Sequence, residues 1–335
     1  MDLSAATRPV IEAVRAADAI EPRGAKTHRA LGFPAPPGAV EISAPSGIVR
    51  HDPDDLTVTT LAGTTFAELD AALAEQGQFV PLDPFDPNAT VGGTIASGLS
   101  GPRRLGYGPL RDHVLEINFV DAHGELLRGG GPTVKNVTGY DLVRLLVGSL
   151  GTLGVFVSVT LRCRPIPPAR HWWSTSSSPN EVRDRAFGVV AMLSTRTQNY
   201  VRFEGDPADA RAVASALENV DEIDHIDLPT AACRGRISIS PHELGAVTAG
   251  LDRAIPEDLD WLCEWGIGTV HVASDDVANL VAAREVAHRH GGWLLREQGA
   301  PDLDPFGVEP ANVGLMRRVK NALDPADRLA SGRFG

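Results

Sequence analysis

The sequence predicts an α+β protein built of two modules that follow each other along the chain. Residues up to about 168 show strand–helix–strand units and three separated glycine clusters, and the composition changes at 165–179. After that change glycine is sparser, while strands and helices keep alternating. A length of 335 residues suits one large domain or two ordinary ones. We expect a first domain over 1–168, a smaller α+β module over 169–305, and a C-terminal helix and tail over 306–335 that return to the first domain.

The charge of the chain argues against a polyanionic partner. The net charge is −12 at pH 7, and no run of Lys or Arg occurs. Nucleic-acid binding usually needs a basic stripe that displaces counterions from phosphates. The largest basic cluster, formed by Arg103, Arg104 and Arg111, suits at most one small anionic ligand. We therefore expect no nucleic-acid partner.

No segment of the sequence predicts direct insertion into a membrane. A membrane-spanning helix needs roughly 18–20 apolar residues in a row, and no run reaches that length. The N-terminal stretch MDLSAATRPVIEAVRAAD carries both charge signs and lacks the apolar core of a signal peptide. We expect a cytoplasmic protein, with any membrane association made through partners.

The three cysteines predict no metal chemistry. Cys163, Cys233 and Cys263 are far apart and form no CxxC pair. An iron–sulfur cluster or a structural zinc site built by this chain alone requires more closely spaced ligands. We expect reduced, mostly buried thiols and no metal site.

Hydrophobic periodicity and turn residues predict the elements of the first module. The clearest is a helix over 64–77, because Thr65 and Glu68 have the spacing of a capping box and Gly77 suits a C-terminal stop. The other predictions are a helix at 7–17, a strand entering a turn at 19–32, strands at 56–63 and 78–82, a β-hairpin at 113–130, a helix at 139–151 and a strand at 155–165.

The second module is predicted to alternate helices and strands, and one further helix precedes the tail of the chain. The expected helices are 181–194, 207–218, 241–254 and 277–290, and the expected strands are 199–205, 236–240 and 267–274.

Glycine gathers in three clusters, at Arg23–Thr27, Thr90–Asp112 and Gly148–Gly154. The middle cluster has six glycines, too many for an ordinary helix or strand, since each one inside an element costs about 0.5–1 kcal/mol relative to alanine. Exposed backbone N–H groups in glycine-rich turns bind anions. Three such loops suggest a long ligand that carries phosphates, and a dinucleotide fits that description.

Two familiar phosphate motifs do not account for these clusters. The P-loop pattern G-x-x-x-x-G-K-[ST] is absent. Gly148, Gly151 and Gly154 depart from the G-x-G-x-x-G spacing and lead from a helix into a strand, the reverse of the Rossmann order. A set of tight turns without any ligand remains the alternative interpretation.

The clusters and their flanks resemble a known family. The segments TVGGTIASGLSG, GYGPLRD, KNVTGYDLVRLLVGSLGTLGV and LDPADRLASGRF resemble the vanillyl-alcohol oxidase/p-cresol methylhydroxylase (PCMH-type) FAD-binding flavoproteins. Within that family they are most similar to the small FAD-binding subunits of bacterial glycolate oxidases. The resemblance covers about 19–168 and, more weakly, 260–335. It implies a PCMH-type two-subdomain FAD-binding domain followed by a smaller α+β cap or substrate module.

The resemblance also implies which positions contact FAD. They lie in a first pyrophosphate loop, a turn after the strand at 56–63, a long loop past the flavin and pyrophosphate, and a last turn. The matching residues are Arg23, Gly24, Ala25, Lys26, Thr27, Gly63, Thr64, Thr90, Gly92, Gly93, Ser97, Gly98, Gly101, Gly106, Gly108, Arg111, Asp112, Gly151, Thr152, Leu153, Gly154 and Val155.

The first pyrophosphate loop departs from the family pattern. Related small FAD-binding proteins carry a richer glycine run there, whereas this chain has Ala25 and Lys26, whose charge can substitute for a close backbone approach. Some relatives attach the flavin to a histidine in this loop. His28 lies close by, but at a position where the pattern of the glycolate oxidase proteins has lysine, and we therefore expect noncovalent FAD.

Candidates for acid–base chemistry lie in the second module. His271 lies within a predicted strand, and Arg202 and Arg296 lie in or beside others. A base and a carboxylate-binding cation suit the oxidation of a 2-hydroxy acid. A lone histidine in a strand is more often packed into a core. The catalytic residues therefore stay open, with His271 and Arg296 as the candidates.

The resemblance implies an FAD-dependent oxidoreductase subunit that takes part in oxidising glycolate or a related small 2-hydroxy acid to the 2-oxo acid. The implied partners are a larger FAD subunit and an iron–sulfur subunit of a glycolate oxidase-like complex. Two alternatives stay open. One is a non-catalytic assembly subunit with weakened FAD binding, and the other is a stand-alone FAD-dependent alcohol or 2-hydroxy-acid oxidase.

Overall fold

The computed structural model describes residues 3–27, 30–131, 141–309 and 312–334. None of the helices within these ranges is long and apolar enough to cross a membrane. In chain order the helices are α1 (Leu3–Ala16), α2 (Phe66–Ala74), α3 (Val91–Ser97), α4 (Arg104–Tyr107), α5 (Leu142–Leu146), α6 (Pro179–Arg185), α7 (Pro207–Ala216), α8 (Leu244–Ala254), α9 (Val277–Arg289) and α10 (Val313–Leu323).

The strands are short in the first part of the chain and longer after residue 110. In chain order they are β1 (Ile20–Arg23), β2 (Val40–Ser43), β3 (Ile48–Asp52), β4 (Thr57–Leu61), β5 (Gln78–Phe79), β6 (Val114–Val120), β7 (Leu126–Gly130), β8 (Val155–Arg162), β9 (Arg164–Pro165), β10 (Ala169–Thr175), β11 (Val189–Ser194), β12 (Asn199–Gly205), β13 (Asp221–Ile223), β14 (Cys233–Ser238), β15 (Asp260–Glu264), β16 (Thr269–Ser274) and β17 (Trp293–Gln298).

The chain divides into two compact units. The first unit comprises 1–100, 109–166 and 309–335, and the second comprises 101–108 and 167–308. The C-terminal tail therefore belongs to the first unit, where Leu329 forms a parallel bridge with Ile20 of β1. The segment 101–108 groups with the second unit, although the sequence analysis placed it with the first.

The first unit is organised around an antiparallel sheet with the strand order β3-β4-β8-β6-β7 in the described ranges. Its central strand, β8, is buried on both faces, so its alternating polar residues need partners inside the sheet. Ser158 Oγ accepts a hydrogen bond from Asn118 Nδ2 at 3.1 Å, and the hydroxyls of Thr160 and Thr59 are 2.9 Å apart. The parallel pair β1–β2 lies apart from this sheet and leads into the first glycine cluster.

Local sequence signals account for helix α2. Thr65 Oγ1 accepts from the backbone N–H of Glu68, and Glu68 accepts in turn from the backbone N–H of Thr65, which confirms the capping box. The Glu68 carboxylate accepts hydrogen bonds from both the backbone N–H and the hydroxyl of Thr65, and these two bonds lower its pKa. Phe66, Leu69 and Leu73 are buried on one helical face. The predicted hairpin at 113–130 is likewise confirmed as β6 and β7.

The second unit is an antiparallel sheet with the order β13-β10-β12-β11-β15-β16-β14-β17 within the part of the chain that is described. Apolar side chains of α6 to α9 pack on one face of it. The opposite face carries Arg202, Glu204, Glu264, His271 and Arg236, which the cross-strand register places on the same side. We call these five residues the polar face.

The structure corrects several predicted elements. The helix predicted at 181–194 ends at Arg185, and Val189–Ser194 forms strand β11 instead, because Gly188 adopts a positive φ that ends the turn between them. Strands β10, β15 and β17 were not predicted. The middle glycine cluster is not free of regular structure, since it contains α3 and α4. The helix predicted at 139–151 is shorter, at Leu142–Leu146, and its first two residues lie outside the described ranges.

Candidate functional site

The three glycine clusters meet at one cleft in the first unit. The cleft holds about 840 Å³ of empty space, including its open mouth. Of the residues predicted to contact FAD, those that line it are Arg23, Gly24, Ala25, Lys26, Thr27, Thr90, Gly92, Gly93, Ser97, Gly151, Gly154 and Val155. Segments separated by more than a hundred positions in the sequence therefore form a single surface.

Direct packing holds the three clusters together. A Cβ atom at Gly24 would lie 2.2 Å from Thr90 Oγ1, so the first loop approaches the start of α3 too closely for a side chain. The backbone N–H of Leu150 donates to Ala96 O at 2.8 Å, which joins the third cluster to α3. Gly151 has a φ of +79° and packs against Pro22 of β1. Glycine at these places is required by close approach and by backbone conformation.

Helix α3 presents its small residues to the cleft. Thr90 caps the helix by accepting from the Gly93 N–H at 3.2 Å, and Gly98 ends it with a φ of +68°. Gly92 packs against Ala62, where a Cβ would lie 2.9 Å from the carbonyl oxygen. Gly93 borders the cleft, and its added Cβ would meet only the Thr90 hydroxyl, at 2.9 Å.

Charged side chains surround the first loop. Arg23 lies 3.4 Å from both Glu21 and Glu41, and Lys26 Nζ lies 2.7 Å from Glu41 Oε2. Glu21 is buried and also forms an ion pair with Arg333, whose guanidinium donates to Leu31 O at 3.0 Å. The carboxylate of Glu21 is thus neutralised, whereas Arg23 and Lys26 remain on the lining of the cleft.

These residues fit an anionic dinucleotide. The lining combines a cradle of glycines without side chains, backbone N–H groups and the basic side chains of Arg23, Lys26 and Arg333. Such a wall lets the backbone approach a diphosphate, and arginine or lysine then supplies the opposite charge.

The remaining predicted cofactor residues do not line the cleft. They are Gly63, Thr64, Gly98, Gly101, Gly106, Gly108, Arg111, Asp112, Thr152 and Leu153. Several have structural contacts instead: the Thr64 hydroxyl bonds with Gly47, and a Cβ at Gly106 would lie 2.5 Å from Val190 within the second unit. The side chains of Arg111 and Asp112 are more than half exposed.

Several residues that line the cleft were not among the predicted cofactor contacts. Glu21, Leu31 and Phe156 line the cleft but belong to no glycine cluster. Arg333 also lines it, and the C-terminal segment LDPADRLASGRF, which carried part of the family resemblance, could have indicated it. His28 lies outside the described residues.

The two catalytic candidates do not form one site. His271 lies opposite Arg236 across the sheet, whereas Arg296 lies opposite Gly235, the neighbouring residue on β14. Neighbouring residues of a strand point to opposite faces, so His271 and Arg296 lie on opposite sides of the sheet. The two side chains therefore do not face each other, and His271 and Arg296 stay separate candidates.

Both candidates already have protein partners. His271 Nε2 lies 2.6 Å from Glu264 Oε1, and both side chains are buried. Arg296 donates to the carbonyl oxygens of Gly299 and Ala300 at 3.0 and 3.3 Å. Burial lowers the pKa of Arg296, an effect that Asp304 opposes.

By residue type, the cysteines and the described acidic residues are possible metal ligands. In the described ranges no group of three or more His, Cys, Asp or Glu side chains is placed to hold a metal ion. The three cysteines are buried free thiols, as predicted. Burial raises the pKa of Cys163 to about 12, which makes this thiol a poor ligand and nucleophile.

Known proteins that are similar to this chain include FAD-binding oxidoreductases. Residues 5–130 match the family model described as FAD binding domain. The chain is 38% identical over 326 residues to glycolate oxidase subunit GlcE of Escherichia coli (strain K12), covering 93% of this chain and 91% of that protein. It is 35% identical to D-2-hydroxyglutarate dehydrogenase of Xanthomonas citri pv. viticola, covering 94% of this chain and 84% of that one. D-lactate dehydrogenases from Arabidopsis thaliana and Archaeoglobus fulgidus are covered over only 29% and 26% of their lengths.

A solved structure shows the same fold. Alkyldihydroxyacetonephosphate synthase superimposes with a TM-score of 0.66 at 14% identity, covering 96% of this chain and 74% of that one. At this identity the match concerns the fold alone. It confirms the predicted α+β, PCMH-type fold class.

Proposed function

Because the chain belongs to the family of glycolate oxidase subunit GlcE, we propose that it is an FAD-dependent oxidoreductase subunit that takes part in oxidising a 2-hydroxy acid to the 2-oxo acid. Glycolate is the first substrate to test, given the name of this relative. A larger 2-hydroxy acid is the next, given the match to a D-2-hydroxyglutarate dehydrogenase.

The meeting of the three glycine clusters at one cleft is the observation that carries this proposal. The first unit is the cofactor-binding domain in this account, and the cleft holds FAD noncovalently. Gly24, Gly93 and Gly151 permit close approach of the backbone, while Arg23 and Lys26 balance the charge of the diphosphate. Bound FAD supplies a two-electron acceptor for the oxidation.

The second unit is the cap or substrate module in this account, and electrons leave through other subunits. Division of labour with a larger FAD subunit and an iron–sulfur subunit suits a chain whose cysteines are separate and buried. The name of the closely similar glycolate oxidase protein supports membership in a complex. The substrate in this scheme is a small 2-hydroxy acid.

A second candidate function is a non-catalytic subunit that binds FAD for assembly or electron transfer. The polar face favours it, because its two carboxylates, Glu204 and Glu264, already have protein partners. Glu204 is fully buried and is bound by Arg202 at 3.0 Å and by the Tyr107 hydroxyl at 2.5 Å. A substrate carboxylate that binds Arg202 has to compete with the carboxylate of Glu204.

The absorption spectrum of the purified protein tests the cofactor. After incubation with FAD and gel filtration, we expect flavin bands at about one FAD per chain. A folded protein that stays colourless would contradict the proposal. Adding glycolate without oxygen to the FAD-loaded chain, alone and after co-purification with its complex, then separates the two candidates. If glycolate bleaches the flavin of the isolated chain, the chain is a catalytic subunit. If glycolate bleaches flavin only in the complex, the chain is a non-catalytic subunit.

A further inference from the structure

The first loop of the cleft carries a cation pair that shares one carboxylate. Lys26 Nζ lies 2.7 Å from Glu41 Oε2, and Arg23 Nε lies 3.4 Å from Glu41 Oε1. Glu41 belongs to β2, which pairs in parallel with β1 directly beside the loop. Both cations line the cleft, so the carboxylate holds the two groups that an anionic ligand needs.

The backbone of Lys26 has an unusual conformation for a residue with a side chain. Its φ is +65°, in the left-handed region that glycine adopts freely and that other residues adopt at a cost in free energy. Such conformations cost free energy, persist only where the surrounding structure imposes them, and are found most often at active sites and ligand-binding sites. The ammonium group is the contribution that Lys26 makes here, and it reaches Glu41.

The carboxylate of Glu41 and a diphosphate are both anions that can bind Arg23 and Lys26. Each offers anionic oxygens that accept charge-assisted hydrogen bonds from arginine and lysine. Lys26 and Glu41 are 46% and 42% exposed, so the contact between them is in reach of water and can exchange. An exposed ion pair of this kind contributes little stability, which makes it inexpensive to break.

We propose that Glu41 is an internal competitor for the diphosphate of the dinucleotide. In this inference Arg23 and Lys26 exchange the carboxylate for diphosphate oxygens when the cofactor binds, and Lys26 keeps its left-handed conformation for that purpose. The inference rests on the proposed function for the identity of the ligand. It adds that a negative charge on β2, beside the first loop of this chain, opposes cofactor binding.

Two substitutions follow with opposite expected effects. Glu41→Gln removes the competing charge, so FAD binds about two- to fivefold more tightly, the range expected from one exposed ion pair. Lys26→Gly removes a cation and relieves the left-handed backbone. FAD then binds about tenfold more weakly, although the FAD-free protein melts at a higher temperature. If Lys26 had only a structural role, FAD affinity and the melting temperature of the FAD-free protein would change in the same direction.

The experiment is a titration of the FAD-free full-length protein with FAD, followed by quenching of flavin fluorescence, together with competition by ADP. ADP carries the diphosphate without the flavin, so Glu41→Gln should tighten ADP and FAD binding alike. Glu125→Gln is the matched control, since it removes the same charge from an exposed turn of the same unit. We expect it to leave both dissociation constants unchanged. Thermal melts of each FAD-free variant accompany the titrations.

The outcomes separate this inference from the proposed function. If the wild-type protein binds FAD and ADP but Glu41→Gln binds them no more tightly, the inference is overturned and the proposed function stands. The same holds if Lys26→Gly binds FAD as tightly as the wild type. Binding of ADP without FAD supports the diphosphate site and overturns the flavin assignment. A protein that binds neither overturns both.

Discussion

The cleft of the first unit and the polar face of the second unit use charged side chains in different ways. At the cleft, Arg23 and Lys26 border open space, and their carboxylate partner Glu41 is 42% exposed. On the polar face, Glu204 and Glu264 are buried and are held by Arg202 and His271 at 3.0 and 2.6 Å. The first arrangement leaves two cations on the lining of a cleft, whereas both carboxylates of the second are buried and already have protein partners.

The contrast between the cleft and the polar face shows that residue type alone does not identify a site. A histidine and an arginine in the strands of one module suggest acid–base chemistry, yet His271 is buried and already contacts Glu264. Glycines suggest only turns until they are found on one surface.

Replacing His271 tests whether the polar face is structural. His271→Leu leaves the buried carboxyl of Glu264 without its hydrogen-bond partner, and an unsatisfied buried polar group costs about 1–3 kcal/mol in the free energy of unfolding, more if it is charged. Urea denaturation measures this loss. The double variant with Glu264→Leu should recover most of it, and FAD content of the folded protein should not change. Normal stability with lost turnover of 2-hydroxy acid would instead assign His271 to catalysis.

Gly98 lies in the middle glycine cluster but outside the lining of the cleft, so its replacement should act through folding. Gly98→Val places a β-branched residue at a φ of +68° with its Cβ 3.0 Å from Gly148 Cα. We expect a loss of about 2 kcal/mol in the free energy of unfolding, mainly from the left-handed conformation. Gly314→Val is the control, since no atom lies within 4 Å of an added Cβ there. Unchanged stability together with lost FAD would place Gly98 at the cofactor.

Asp324 makes the first unit sensitive to acid. Burial alone raises the pKa of this carboxyl, but hydrogen bonds from Lys320 and from the backbone N–H groups of Arg328 and Leu329 outweigh it and hold the pKa below its usual value. A lowered pKa in the folded state stabilises the protein above the unfolded pKa of about 4 and loses that contribution as pH falls through the folded value.

The measurement is the melting temperature between pH 7 and pH 3. Lys320 also donates to Thr152 O at 3.0 Å, so the same network supports the third glycine cluster. Asp324→Asn should lower the melting temperature at pH 7, and the difference from wild type should shrink as the pH falls. A constant difference would show that the charge of Asp324 is not the cause.

The smallest effect concerns two capping boxes, one in each unit. Thr65→Ala removes the cap of α2 and should cost about 1 kcal/mol in the free energy of unfolding. Ser178→Ala removes the corresponding cap of α6 in the second unit and should have a similar effect. Denaturation curves of both variants, with FAD content recorded, test the comparison. Equal losses with normal FAD content are expected, because neither cap borders the cleft.

The features that could be predicted from the sequence are those that depend on residues close together along the chain. The cap of α2 and the hairpin at 113–130 are encoded within a few positions, and both are confirmed. Strand β11 was mistaken for the end of a helix, because short apolar segments suit either structure until their neighbours in the sheet are known.

Long-range features were less accessible. The ion pair between Glu21 and Arg333 joins residues 312 positions apart, and no local pattern predicts it. The opposite orientations of His271 and Arg296 depend on the register of β14 with two other strands. The glycine clusters were recognised individually, while their common surface depends on the packing of Gly24 against Thr90 and of Leu150 against Ala96.

The most direct test is the dissociation constant of FAD for the wild-type protein and for Gly93→Val, measured side by side. Gly93 borders the cleft, and an added Cβ would meet only the Thr90 hydroxyl, at 2.9 Å, so we expect the variant to fold after a small shift of Thr90, as its melting temperature will show. We predict about one FAD per chain for the wild type and at least about a hundredfold weaker binding for the variant, near 3 kcal/mol. Stoichiometric FAD in Gly93→Val, at an affinity equal to the wild type, would contradict the placement of the cofactor in this cleft.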